Sequence, residues 1–136
     1  MRILITDWAL SSYSEFVPMT ISVEEYWSTV RPDIERLFQF AGEQKFRDAR
    51  FWGPAESGPN RTVPEGYKMK WHNIGNGGLQ LRLGVTFFAG DAWLLHAWCK
   101  TSPHVDYING ATMRARIPRL RAGEIDAIGV IHERRS

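Results

Sequence analysis

Tyr67-Lys68-Met69-Lys70-Trp71-His72 alternates apolar and basic side chains one by one. Successive side chains of a strand point to opposite faces. The stretch therefore predicts a strand with Tyr67, Met69 and Trp71 against a core and Lys68, Lys70 and His72 on the far face. The next apolar stretch repeats the pattern: Leu79, Leu81, Leu83, Val85 and Phe87 share one parity, and Gln80, Arg82 and Thr86 share the other. In a third stretch, Trp93, Leu95, Ala97 and Cys99 alternate with Leu94, His96, Trp98 and Lys100. Three successive strands would then build one sheet face of Lys, Arg, His and Trp with no carboxylate on it. An ordinary solvated face mixes both charge signs, so this one predicts an anionic partner, with RNA the first candidate.

Ile74-Gly75-Asn76-Gly77-Gly78, which follows the first stretch, is a turn whose residues suit positive φ. Antiparallel pairing with residue numbers summing to 152 sets Lys70 opposite Arg82 and His72 opposite Gln80. Gly90-Asp91 makes the next turn. Upstream, Arg2 to Thr6 reads as a short strand, and Asp7 as the cap of a helix that runs to about Val17 and stops at Pro18. Ser22 with Glu25 is a capping box. The helix it opens aligns Trp27, Val30, Ile34, Leu37, Phe38 and Ala41 on one stripe, with Pro32 as a kink or a second start. The two segments predict a helical hairpin on the apolar face of the sheet. Residues 43–65 read as an irregular loop broken by Gly53, Pro54, Gly58, Pro59 and Pro64 and anchored by Phe46, Phe51 and Trp52. A basic helix near Val105 to Ala122 carries Arg114, Arg116, Arg119 and Arg121, with an interruption expected at Pro118. The tail from Glu124 to Ser136 holds a short strand at Ile125–Ile131 before fraying. Strand, helix, helix, three-stranded meander, helix is an α+β order, with helices on one face of an antiparallel sheet.

The 136 residues fit one domain, 1–136, with one core. A net charge of +2 says little, but its distribution is uneven. Residues 1–43 carry 3 Lys+Arg against 7 Asp+Glu, and residues 44–121 carry 12 against 5. An acidic first third and a basic middle fit a nucleic-acid face backed by a different surface. Cys99 is the single cysteine, which excludes an internal disulfide and suits a reducing compartment. The opening apolar run is too short for a signal peptide, and no run approaches the ~20 apolar residues of a membrane span. A cytoplasmic protein without a membrane partner is expected.

Lys68-x-Lys70-x-His72, Gln80-Leu81-Arg82-Leu83 and Leu95-His96-Ala97-Trp98-Cys99-Lys100, followed by Ser102-Pro103 and a helix, resemble the RelE/ParE superfamily of type II toxin–antitoxin toxins, its RelE and HigB branches above all. The resemblance runs from Ile3 to about Leu120. It implies a RelE-like fold and an endoribonuclease (an mRNA interferase) that cuts mRNA, in many members on the ribosome. Translation is thereby inhibited until a cognate antitoxin protein neutralises the toxin. Lys68, Lys70 and Arg82 fall on the family's basic cluster, with His72 and Lys100 as looser matches. The hairpin after Lys70 is longer than in compact members, and no C-terminal tyrosine is evident. The family also contains ParE-like gyrase inhibitors that cut nothing. A non-catalytic gyrase inhibitor or nucleic-acid-binding module is therefore the alternative.

Metal-independent RNA cleavage needs a base for the 2′-hydroxyl proton, positive charge on the transition state and an acid for the leaving oxygen. An isolated lysine titrates near ~10.4, and crowding by like charge lowers that value, whereas a histidine starts near ~6.5. Lys70 or His72 is expected as base, and Arg82 as the transition-state clamp because its planar fork matches phosphate oxygens. Lys68, Lys100, Arg61, Gln80 and His96 are candidate RNA contacts, and Trp98 a platform for an unpaired base. Each has a plainer reading. Lysines blunt sheet edges, His96 and Trp98 suit packing, and a basic helix needs no ligand. His96-x-x-Cys99 has metal-ligand spacing, but the two side chains lie on opposite strand faces, so neither a metal nor another cofactor is expected.

Overall fold

The alternating stretch lies in the longest strand of the protein. The computed structural model describes residues 1–133. Its strands are β1 (Ile3–Ile5), β2 (Trp52–Gly58), β3 (Arg61–Ile74), β4 (Leu79–Phe88), β5 (Asp91–Cys99) and β6 (Gly129–Ile131). They form one mixed sheet in the order β2-β3-β4-β5-β1-β6. The expected meander is β3-β4-β5. Tyr67↔Val85, Met69↔Leu83, Lys70↔Arg82 and Trp71↔Leu81 keep the 152 register, and a bulge then moves Ile74 opposite Leu79. Asn73, at φ 55°, absorbs that bulge. β1 runs parallel to β5, with Ile3 opposite Ala92, so the sheet is not purely antiparallel.

Residues 43–65 are more ordered than their glycines and prolines suggest. They hold a 3₁₀ turn at Gln44–Arg47, all of β2 and the start of β3. β2 is an edge strand, where Pro54 removes no ladder bond on its open side. Phe46, Phe51 and Trp52 are buried, as the sequence reading expects.

On the apolar face, Met69, Trp71, Leu81, Leu83 and Leu94 pack against Ala9, Ile21, Val30, Ile34 and Leu37 from the N-terminal helical region. A helical hairpin is not evident there. α1 is Asp7–Ser14, shorter than expected. Its cap is Thr6 rather than Asp7: the Thr6 hydroxyl accepts from the Ala9 amide at 3.1 Å and donates to the Leu94 carbonyl at 2.8 Å. The second helical segment is composite: α2 (Val23–Glu25), a π turn (Tyr26–Val30), α3 (Arg31–Glu35) and a 3₁₀ turn (Arg36–Gln39). Ser22 caps it, accepting from the Glu25 amide at 3.0 Å. Pro32 supplies no N–H to the turn before it, and the π turn falls where that donor is missing.

α4 (Pro103–Arg121) lies on the opposite face, so helices cover both sides of the sheet rather than one. Met113, Ile117 and Leu120 meet Ala55, Val63, Leu95 and Trp98 there. A bulge in β5 makes room for this layer. His96 sits opposite Gly84 and Leu94 opposite Val85, leaving Leu95 unpaired. The alternation therefore reverses at that point: Leu94 joins the N-terminal side, while Leu95 and His96 both face α4. Pro118 does not interrupt α4: the helix runs on to Arg121, and the Pro118 carbonyl accepts from Ala122 at 3.0 Å. β6 is shorter than the expected Ile125–Ile131 strand, and the expected frayed end at 134–136 lies outside the described residues. Among the described residues, no helix is long and apolar enough to cross a membrane.

α4 approaches β2 so closely at Gly110 that an added Cβ would stand 1.8 Å from the Glu56 carbonyl oxygen. Gly110→Ala gains about 1 kcal/mol of helix propensity. It loses more to the backbone clash, about 3 kcal/mol on the scale of core overpacking. Urea unfolding should show a net loss of about 2 kcal/mol for Gly110→Ala. Gly42→Ala, with nothing within 4 Å of its added Cβ, should stay within about 0.5 kcal/mol.

Candidate nucleic-acid interface

The ladder places the candidate residues in three cross-strand rows. Lys68, Gly84 and His96 form the first; Lys70, Arg82 and Trp98 form the second. His72, Gln80 and Lys100 form the third. There His72 Nδ1 lies 2.9 Å from Gln80 Oε1, and the Lys100 amide donates to the Gln80 carbonyl at 2.7 Å. Exposure rises along β3, while Arg82 and Trp98 stay buried. Lys68 is 7% exposed and His96 4%, Lys70 is half-buried, and His72 is exposed. α4 covers the first row and part of the second, and it leaves the third open.

The centre of the face holds a carboxylate that the strands do not supply. Ser102 caps α4, with its hydroxyl 3.4 Å from the Val105 amide, and Asp106 follows in the first turn. Asp106 Oδ2 accepts from Lys68 Nζ at 2.9 Å, and Oδ1 accepts from the Trp98 indole at 2.9 Å. Lys100 Nζ stands 3.6 Å from the same carboxylate. Burial pushes the Asp106 carboxyl up. The Trp98 and Lys68 hydrogen bonds and the charges of Lys68 and Lys100 outweigh it and hold the group below the usual carboxylate value. Lys68 is therefore spent in a buried ion pair, and Trp98, 5% exposed, offers no open ring face.

Lys70 and Arg82 carry charge without a carboxylate of their own. Arg82 is 4% exposed; its Nη1 donates to the Leu81 and Trp71 carbonyls at 3.1 and 3.4 Å, and its Nε has no protein partner. Burial lowers the Lys70 ammonium from its ordinary value, and the charges of Lys68, Arg82 and Lys100 lower it further against a weaker pull from Asp106. Its Nζ donates to the Ala49 carbonyl at 2.8 Å. A neutral amine held this way keeps a second hydrogen and a lone pair directed elsewhere. His72 is more constrained. Its Nε2 lies 2.6 Å from the Arg50 carbonyl, which can only accept, so Nε2 carries the proton. Nδ1 faces Gln80 Oε1 at 2.9 Å, so both ring nitrogens are engaged with oxygens and neither is open to a substrate proton. Of the two candidate bases, the geometry favours Lys70.

Lys68, Lys70, Arg82, His96, Trp98 and Lys100 are thus brought together, with His72 and Gln80 at their open edge. Arg61 is not, since it sits exposed nine residues up β3 from Lys70, a span of about 30 Å in an extended strand. Sequence reasoning missed Asp106 and the Ala49 and Arg50 carbonyls. A signal for Asp106 existed, because a helix starting at Ser102-Pro103 places its first-turn acid beside the end of β5. The carbonyls left none. Among the described residues, no group of three or more His, Cys, Asp and Glu side chains is placed to hold a metal ion. Comparison of the chain with protein-family models, curated proteins and solved structures returns no match.

His96 lies under α4 with neither ring nitrogen hydrogen-bonded in the protein, its ring 5.1 Å from that of Trp98. Burial, helped by the Arg116 charge and opposed by Asn109, brings its pKa down to about 4. A histidine that titrates near 6.5 when unfolded and near 4 when folded binds more protons unfolded between those values. The neutral ring's contribution is complete above pH 6.5 and lost as pH falls toward 4, on the order of 3 kcal/mol. Chemical denaturation across that window should therefore show falling stability in the parent and a flatter profile in His96→Leu. Asp106 loses its contribution only below the ordinary carboxylate range, because its folded value is depressed. At neutral pH, Asp106→Asn strands a buried Lys68 charge and should cost about 3 kcal/mol or more.

Proposed function

We propose that the protein is a RelE/HigB-like toxin of a type II toxin–antitoxin system: a cytoplasmic endoribonuclease that cleaves mRNA, on the ribosome, and is held inactive by a cognate antitoxin. The observation that carries this reading is Lys70, an amine with a lowered proton affinity set among Lys68, Arg82 and Lys100 at the open side of the face. In this mechanism neutral Lys70 takes the proton of a ribose 2′-hydroxyl. The oxygen attacks the adjacent phosphorus, the bond to the 5′-oxygen breaks, and a 2′,3′-cyclic phosphate and a 5′-hydroxyl result. Arg82, fixed beneath the site, and Lys100 at its rim stabilise the charge that builds on the phosphoryl oxygens. Lys100 delivers a proton to the leaving oxygen. His72 and Gln80 hold the rim and contact the chain, while Lys68, His96 and Trp98 position α4 and the cation cluster.

A second reading keeps the same surface without the chemistry. The burial of Arg82 and the neutralisation of Lys68 favour a nucleic-acid-binding module that does not cut. The two separate when purified protein is incubated with a labelled mRNA, both free and loaded on ribosomes. The nuclease leaves fragments ending in 2′,3′-cyclic phosphate, and Lys70→Ala slows cleavage by about 10²-fold or more, the usual contribution of a general base, while binding changes by a few-fold. The binding module leaves the RNA intact, and Lys70→Ala and Lys100→Ala each reduce the slope of log K against log salt by about 0.7. Failure of the parent protein either to bind or to cut RNA contradicts both readings.

A further inference from the structure

The N-terminal helical region encloses a cavity of about 240 Å³ on the face of the sheet away from the cations. Its floor includes Trp71, Leu83 and Ala97, and its walls come from α1 and the composite helix. The π turn gives it Tyr26, Trp27 and Val30. Pro32 explains where that turn falls, and π turns are frequent at functional sites. Tyr13 stands edge-on to Tyr26 at 4.6 Å, and Tyr26 edge-on to Trp27 at 5.3 Å, forming an aromatic rim.

The mouth is marked by lining residues that also reach solvent, Leu10 and Trp27, each about half-exposed. Arg31 is the one charged side chain among the lining residues. It sits at this mouth, with its guanidinium 4.8 Å from the centre of the Trp27 ring. Its Nη1 is 3.4 Å from the Tyr26 hydroxyl, and its Nε is 3.4 Å from a Glu35 oxygen. A guanidinium has five donors in a planar fork, so these two contacts leave an edge able to receive a carboxylate. A dry cavity of about 150 Å³ accepts benzene, so this larger space suits a single chain of roughly eight to ten carbons.

We propose that this cavity binds a medium-chain amphiphile with an anionic head, its tail among the apolar walls and its carboxylate on Arg31. The ligand chemistry is an acyl chain with a terminal negative charge. One cavity of this size admits one chain and not the two of a membrane lipid.

The test is titration of the full chain with octanoate, octan-1-ol and octylammonium, read by the fluorescence of Trp27 and Trp71 and by Tm. Octanoate should saturate one site and raise Tm, octan-1-ol should bind about tenfold more weakly, and octylammonium weaker still. Arg31→Gln should bring octanoate to the level of octan-1-ol. Ala9→Leu, which fills the space from α1, should abolish binding with Tm unchanged or higher, and Ala97→Leu does the same from the floor should the first variant fail to fold. No saturable binding by the parent overturns the proposal, as does equal affinity for the three probes or undiminished binding in the filled variants. A dimer seen by light scattering in the parent and dissolved by Ala9→Leu overturns it too, since a second copy would then occupy the cavity.

Discussion

The contact of Asp106 with Lys68 and Trp98 decides how the two halves of this molecule meet. A sheet face bearing Lys68, Lys70, Arg82 and Lys100 repels a helix unless that helix brings negative charge to it. α4 brings one carboxylate, in its first turn, where the helix dipole also favours an anion. Because both oxygens of Asp106 are used, at 2.9 Å each, the start of α4 is fixed in position and in rotation. The rest of the helix then lies over Gly84 of β4 and brings its own Gly110 against β2; a larger residue at the first would collide with Met113, and at the second with the backbone of β2.

One carboxylate among four cations also leaves a remainder. Lys68 is neutralised and buried, whereas Lys70 and Lys100 stay at the uncovered end of the face with Arg82 beneath them. Lys70 keeps a lowered proton affinity there because it is partly buried and crowded by Lys68, Arg82 and Lys100, which together outweigh the pull of Asp106. The N-terminal apolar cavity lies on the other side of the sheet, away from these groups.

Much of this was legible in the residues. The alternation at Tyr67–His72 and Leu79–Phe87 placed β3 and β4, their register and the sidedness of their side chains. Ser22 announced a helix start through its own hydroxyl, and the helix expected from Val105 begins two residues earlier, at Pro103. What could not be read follows from contacts distant in sequence. The β5 bulge reverses the alternation at Leu94–Leu95 because α4 needs Leu95 as a partner. β2 forms because an edge strand tolerates Pro54 and Gly53, which local propensity counts against it. The face looked free of carboxylate because Asp106 comes from a helix and not from the strands, and so the open part of the site is smaller than the strands alone suggest.

A double-mutant cycle between Lys68 and Asp106, using Lys68→Met and Asp106→Leu singly and together and read by urea unfolding at neutral pH, addresses the docking of α4 directly. A buried pair in contact predicts a coupling energy of about 2 kcal/mol, with the double variant more stable than either single change would allow. Additivity within about 0.5 kcal/mol would mean that the two side chains do not hold the helix to the sheet, and the account of the cationic face would fall with it.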